Sequence, residues 1–344
     1  MSEAPDNRRI EVGAAGLSRR ALGGAAGGAM LAALGLSPAS AARNRKRKTA
    51  GRQRLQQAEY VFDLAWGDTG DEAGEFRDPR AITVFPETGD VFVADSGNNR
   101  VQKFTGEGTF LTQWGSYGRR TGQFSEPNGI AFDPSGAIYV ADSENERIQK
   151  FTGDGAFVTA WGRPGRGNGE FSEPYGISAG TNGAIYVTDV GLNRIQLFTN
   201  TGTFFGAFPG REGDEPGHFD SPTGIAANPL FDEVFVADFK NHRIQVFDAE
   251  GRFRRQWGIR GDGNGQLDNP FGVVVDQTSR VLVTDFDNHR VQVFTVEGEF
   301  ITAFGSKGND PGEFDHPTGI AVDIDSNVYV ADTGNNRIQK FAPV

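Results

Sequence analysis

The chain has 344 residues, 48 of them Gly and 28 Phe, with no Cys and a formal net charge of −11. The missing Cys excludes a disulfide framework, thiolate metal ligands and a cysteine nucleophile. Residues 1–58 hold 11 Lys and Arg against 3 Asp and Glu, so the remainder carries 23 basic and 42 acidic residues. Its net −19 repels nucleic acid phosphates and suits a soluble surface, a cationic partner or divalent cations.

The first 17 residues are polar and irregular. Ser18-Arg19-Arg20-Ala21-Leu22 follows, then an apolar run to Leu36 and small residues at Ala39-Ser40-Ala41. Basic, then apolar, then small-x-small is the order of a secretory signal, and paired arginines point to the twin-arginine route. The apolar run, 16 residues with five Gly, is too short and weak to span a membrane. Leu22 and Gly24 stand where such signals commonly have Phe and Lys. The alternative is a disordered tail that contains Arg19-Arg20. The basic block Arg43–Lys48 reads as a solvated linker, with a nucleic acid or anionic lipid patch as the other reading. The expected boundaries are a signal over 1–42, a linker over 43–58 and a folded body over 59–344. Such a chain is expected to be exported to the periplasm, the cell surface or the exterior.

From residue 59 onward the chain repeats one unit. Between Pro127 and Gly162, short alternating runs are separated by Pro134-Ser135-Gly136, by 143–146 and by Gly153-Asp154-Gly155. Alternation bounded by Gly, Asn, Asp and Pro predicts a four-stranded antiparallel meander. The Pro opening the first run recurs as Pro79, Pro127, Pro174, Pro222, Pro270 and Pro317. The Asp ending the second recurs as Asp95, Asp142, Asp189, Asp238, Asp285 and Asp332. Copies about 47 residues apart with four strands each predict an all-β, six-bladed propeller. The sixth copy stops after its third strand, and residues 59–67 match the missing fourth, Phe62 and Trp66 standing for Phe157 and Trp161. The N-terminal strand is therefore expected to join the last blade and close the ring, leaving no free sheet edge.

Each copy holds a variant of Pro-x-Gly-Ile, Val-Ala-Asp and Asn-x-Arg-Ile-Gln-x-Phe, as in Pro317–Ile320, Val330–Asp332 and Asn335–Phe341. Over 59–344 the chain resembles the NHL-repeat family of six-bladed propellers. That resemblance implies the fold but not one function, since such propellers serve as protein-binding, RNA-binding and sensor domains and as lyases.

The Asp and the Arg five residues later (Asp95/Arg100, Asp142/Arg147, Asp189/Arg194, Asp238/Arg243, Asp285/Arg290, Asp332/Arg337) could be read as a catalytic pair. Sixfold repetition favours a structural clasp that ties down the turn between them, because a catalytic pair is needed once. Trp114, Trp161, Phe208, Trp257 and Phe304, at the ends of fourth strands, read as blade packing. No catalytic residue is assigned.

Copy-to-copy variation marks where a ligand could bind. The links between blades (115–126, 162–173, 209–221, 258–269) and the turns after the second strands are expected on one face. At that face the residues following the opening prolines, Arg80, Asn128, Tyr175, Thr223, Phe271 and Thr318, would ring the channel mouth and offer a pocket. The peptidylglycine amidating lyases, which resemble this family, place zinc-binding His at that step; here none of the six is His. His218, His242, His289 and His316 all fall on the same face, but outer turns of adjacent blades are expected to hold His242 and His289 too far apart to share an ion. Asp323–Asn327 lacks the Gly and terminal Glu of a calcium loop. Gly165–Gly169 does not join a strand to a helix, as a phosphate loop requires.

The leading expectation is an exported binding or scaffold module for a protein, peptide or glycan, a monomer by default, with no cofactor. The alternative is a lyase or lactonase-like hydrolase with zinc or calcium at the channel mouth. RNA binding, through Arg119, Arg120, Arg163, Arg166 and Arg260, is the third reading.

Overall fold

Alternating apolar residues become strands in every copy. In the computed structural model, which describes residues 60–180, 183–208, 211–228 and 232–344, the second blade consists of Pro127–Phe132, Ile138–Asp142, Arg147–Phe151 and Phe157–Trp161. The 24 strands form six such four-stranded antiparallel sheets. Ile138–Asp142 is buried along its whole length, because neighbouring blades cover both its faces. The outermost strand, Phe157–Trp161, keeps more exposure.

Closure occurs as the repeat requires. Tyr60–Trp66 pairs with Arg337–Pro343 from Tyr60↔Pro343 to Trp66↔Ile338, completing blade six. Across the seam Ile82, Val91, Val93 and Phe104 pack with Tyr329, Ala331 and Ile338, and Trp66 lies against them. The signal and linker expected over 1–58 lie outside the described residues.

The Gly of Pro-x-Gly-Ile permits close approach of the innermost strands. A Cβ on Gly129 would stand 1.9 Å from the Tyr175 carbonyl oxygen, and one on Gly176 2.1 Å from that of Thr223.

Hydroxyl groups stitch each blade to the next near the top of the channel. Ser96 Oγ donates to the Pro127 carbonyl (2.5 Å), Ser143 Oγ to Pro174 (2.6 Å) and Thr188 Oγ1 to Thr223 (2.8 Å). Thr223 Oγ1 donates to Phe271 (2.8 Å), Thr284 Oγ1 to Thr318 (2.6 Å), and Thr333 Oγ1 to Pro79 (2.7 Å). At least one such bond thus crosses every interface, and each satisfies a carbonyl that the bulged register of the inner strand leaves unpaired.

The links are more ordered than their variability implies. Each folds back on itself through a parallel bridge such as Tyr117↔Phe124, and buries a residue completely: Phe76, Phe124, Phe171, Phe219, Leu267 or Phe314. Free variation in the links is thus confined to their outer residues.

Candidate functional site

The repeated Asp–Arg pairs form a clasp between turn and link. Asp142, with no exposed side-chain surface, accepts from the Ser125 amide (2.7 Å), Arg147 Nε (2.7 Å), Asn145 and Gln149. Arg147 spends its other donors on the carbonyls of Arg119, Arg120 and Gln123, pinning the link. Burial pushes the Asp142 carboxyl up, against the pull of these donors and of Arg147.

The pair recurs as Asp95–Arg100, Asp238–Arg243 and Asp332–Arg337 at 2.7 Å, and as Asp285–Arg290 at 2.8 Å. The pair ties down its own turn and reaches further. Arg100 Nη1 donates to the Asp71 carbonyl (2.6 Å) and to Gln113 Oε1 (3.1 Å), and its Nη2 to the carbonyls of Glu72 and Glu75. Arg290 Nη2 donates to the carbonyls of Gly263 (2.9 Å) and Gln266 (3.0 Å). Arg100 and Arg290 therefore anchor links that lie 24 or more residues earlier in the chain, and Arg100 also holds the fourth strand of its blade through Gln113. A guanidinium has five donors, and one carboxylate leaves most of them free for backbone carbonyls. Blade three is looser. Leu192 replaces the Asn of the other turns, and Arg194 stands 3.5 Å from Asp189. This network serves the scaffold.

A second bracket joins neighbouring blades. The turn after each second strand ends on a left-handed residue, which in five blades is Asn or His. Asn99, Asn193 and Asn336 accept through Oδ1 from the amides of Glu126, Ser221 and Asp78, at 2.7–2.9 Å. His242 and His289 accept through Nδ1 from Asn269 and His316, both at 3.1 Å. These two histidines therefore do the work of asparagines.

The structure brings His289 next to His316, not His242: the rings lie 4.4 Å apart. With Asp315 they form a triad whose ligand atoms all fall within 4.8 Å of one another, a grouping missed in the sequence because His316 lies in a link and His289 in a turn. For a metal to use His289 Nδ1, it must displace the His316 amide; with that bond intact, neutral His289 carries its proton on Nε2. Residues able to hold zinc are thus present, but one ligand atom is already occupied. Burial, then His316 and Lys307, hold His289 below the ordinary histidine range. A lowered folded value means that the neutral bracket contributes fully above about pH 6.5 and is lost as pH falls through the folded value. His289→Asn, which keeps an acceptor, is therefore expected to lose less stability than the parent between pH 7 and pH 5 in thermal melts. Equal losses would rule out His289 as the titrating bracket.

At the channel mouth, Arg80, Asn128, Tyr175, Thr223 and Phe271 line one throat together, and Thr318 joins Arg80 and Phe271 around an adjoining cavity of about 290 Å³. The six are not equivalent. Thr223 and Thr318 spend their hydroxyls on inter-blade bonds. Arg80 donates to Asp78 Oδ2 (2.8 Å) and, across blade two, to the Tyr175 hydroxyl (2.9 Å). Burial opposes the Arg80 charge, and Tyr175 and Asp78 more than restore it, so the guanidinium stays protonated.

Tyr175 meets Phe271 edge-on at 5.6 Å. Phe271 stacks on Phe286 (5.6 Å, 25°), and Phe239 meets both edgewise at 5.8 and 5.9 Å. His316 continues the row, 4.7 Å from Phe286. Phe239 and Phe286, both half-buried, occupy the position directly after the clasp Asp. In blades one, two and six that position is Ser96, Ser143 or Thr333, whose hydroxyl makes the inter-blade stitch. Blades four and five stitch through Thr223 and Thr284 instead, which releases the position for a phenyl ring. Comparing residues after the Asp would have revealed the exchange in the sequence.

The NHL-repeat model matches residues 76–104, 124–151 and 219–247, and a model described as a 6-bladed beta-propeller matches 266–342. The chain is an NHL-repeat propeller. Protein brain tumor of Drosophila melanogaster is 46% identical over 70 residues, 20% of this chain and 7% of that protein. Peptidylglycine alpha-amidating monooxygenase of Rattus norvegicus is 40% identical over 70 residues, 19% of this chain and 7% of that protein. This NHL propeller thus matches about 7% of the length of either relative. Virginiamycin B lyase from Staphylococcus aureus shares the fold at a TM-score of 0.56 and 17% identity, over 83% of this chain and 100% of that one. In the NHL propeller, the residues ringing the throat include no His, and its histidines cluster in the outer turns and links of blades four to six.

Proposed function

We propose that this NHL propeller is a binding or scaffold module whose mouth recognises a protein, peptide or glycan partner. The replacement of stitching hydroxyls by Phe239 and Phe286 carries this reading. The repeat does not need phenyl rings there, and together with Phe271 they present an apolar ledge beside a charged rim. Panning the full chain against a peptide library and a glycan array is expected to enrich ligands that the F239S/F286S variant no longer retains. Serine is the residue of blades one and two at this position, so the variant keeps the fold. Ligands retained equally by the variant would remove the mouth from the site.

The enzyme reading keeps one specific support, the His289–Asp315–His316 triad near the ledge. Stoichiometric zinc in the purified protein, with loss of that zinc in His316→Ala, would favour a lyase or hydrolase over a binding module.

We also propose export through the Arg19-Arg20 signal, supported by the order of basic, apolar and small residues before residue 42. Among the described residues, no helix is long and apolar enough to cross a membrane. Replacing both arginines with Lys is expected to retain the protein in the cytoplasm, as read by fractionation. Unchanged export would remove the twin-arginine route.

A further inference from the structure

We infer that the mouth takes a cationic peptide segment in which Lys or Arg neighbours a large apolar side chain. This rests on the reading of the mouth as a binding site and specifies its ligand by charge.

The inter-blade bracket fails at one place. Blade two has Glu146 at the position of the bracketing Asn or His, and no bracket forms there among the described residues. The residue before the next Pro, left-handed in the other five blades, departs from that conformation at Glu173. Its amide turns instead to Asp189 (3.0 Å). Among the described residues the half-buried Glu173 carboxylate makes no hydrogen bond or ion pair, and it lies within electrostatic range of exposed Glu126 and Glu144, which are likewise unpaired, and of Arg80. Burial first, then the charges of Glu144, Asp189 and Glu126, push its carboxyl up. A cation placed among the three glutamates would relieve that strain.

Asn128 supplies an independent observation. It lines the throat with Arg80 and Tyr175, is 4% exposed, and its side-chain oxygen has no hydrogen-bond partner. Asn128 Oδ1 and the three glutamate carboxylates thus offer unsatisfied acceptors at this side of the mouth, whereas the Arg80 guanidinium is engaged by Asp78 and Tyr175. A ligand complementary to them must bring N–H donors. The acceptors join the phenyl ledge through the contact of Tyr175 with Phe271, so donor and apolar side chain belong to one short segment. The net −19 of residues 59–344 adds long-range attraction for such a segment.

Fluorescence anisotropy on the full chain tests this with three labelled, end-blocked hexapeptides: alternating Phe and Lys, alternating Phe and Glu, and alternating Ser and Lys. Only the Phe–Lys peptide is expected to bind. Its Kd should rise about tenfold or more in E126Q/E144Q/E173Q and in F239S/F286S, and several-fold between about 50 and 300 mM NaCl. Removing crowded charges should leave the melting temperature of the Gln variant at or above that of the parent, which separates lost binding from lost folding. Binding of the Phe–Glu peptide, abolished by F239S/F286S, would overturn the cationic ligand and keep the mouth. Absence of Phe–Lys binding would overturn the inference alone, whereas Phe–Lys binding indifferent to both variants would overturn the inference and the mouth reading together.

Discussion

Deleting residues 59–67 is expected to abolish cooperative folding of the propeller, whereas deleting residues 1–55 should leave its melting temperature unchanged. The short strand contributes to two interfaces at once. Tyr60 is 8% exposed and packs on Phe304 at 5.0 Å, against blade five. Phe62 meets Phe341 edge-on within blade six, and Trp66 reaches Phe104 of blade one at 5.9 Å. Truncating a buried aromatic residue typically costs about 3–5 kcal/mol. Tyr60 is the buried one and Phe62 and Trp66 are partly buried, so their joint loss is comparable with the lower part of the roughly 5–15 kcal/mol that holds a domain together. The deletion also bares the backbone edge of Arg337–Pro343, inviting intermolecular pairing. Calorimetry and light scattering of the two truncated chains supply the test. Equal melting temperatures would show that the strand is not a structural part of the ring.

The second large effect is expected at a clasp. Asp238→Ala leaves Arg243 Nε, 2.7 Å from the lost carboxylate and with a side chain 7% exposed, facing an empty, water-poor site. It also strips the Asp220 amide and the side chains of Asn241 and Gln245 of their shared acceptor. Breaking a buried ion pair on one side costs about 3–5 kcal/mol. For a domain of this size that is a fall in melting temperature on the order of 10 °C. Asp189→Ala should cost less, since Arg194 stands 3.5 Å away and no Asn completes that clasp. If both variants melt alike, the hydrogen-bond geometry is not what sets the cost.

Period and strand number were legible in the sequence because they depend on local features: alternation, turn residues and the fixed spacing of Pro and Asp. The Asp–Arg pairing was legible for the same reason, since Asp142 and Arg147 face each other across one turn. Its extension was not, because Arg100 and Arg290 reach link carbonyls that only the folded blade brings beside them. Two further kinds of information were less accessible. The stitching hydroxyls move between positions, as Ser96, Thr188 and Thr223 show, so no aligned column contains them. Contacts between blades, such as His289 with His316 or Arg80 with Tyr175, join residues 27 and 95 positions apart, a pairing that depends on ring geometry. The six post-proline residues gather at the mouth as the topology demands, but Thr223 and Thr318 are engaged in stitching. The phenyl ledge beside them came from departures at a position that otherwise serves the fold.

The six inter-blade stitches have a mechanical consequence. They lie near the channel axis and run unbroken around it, as the hoop of a barrel does, so a ligand that prises two blades apart must stretch all six interfaces. Widening of the mouth is thereby resisted collectively, at a cost no single weak contact supplies. Under the proposed binding role, recognition at this face would fall to side chains standing on a fixed rim, where Phe, Glu or His can be exchanged without altering the bore beneath them.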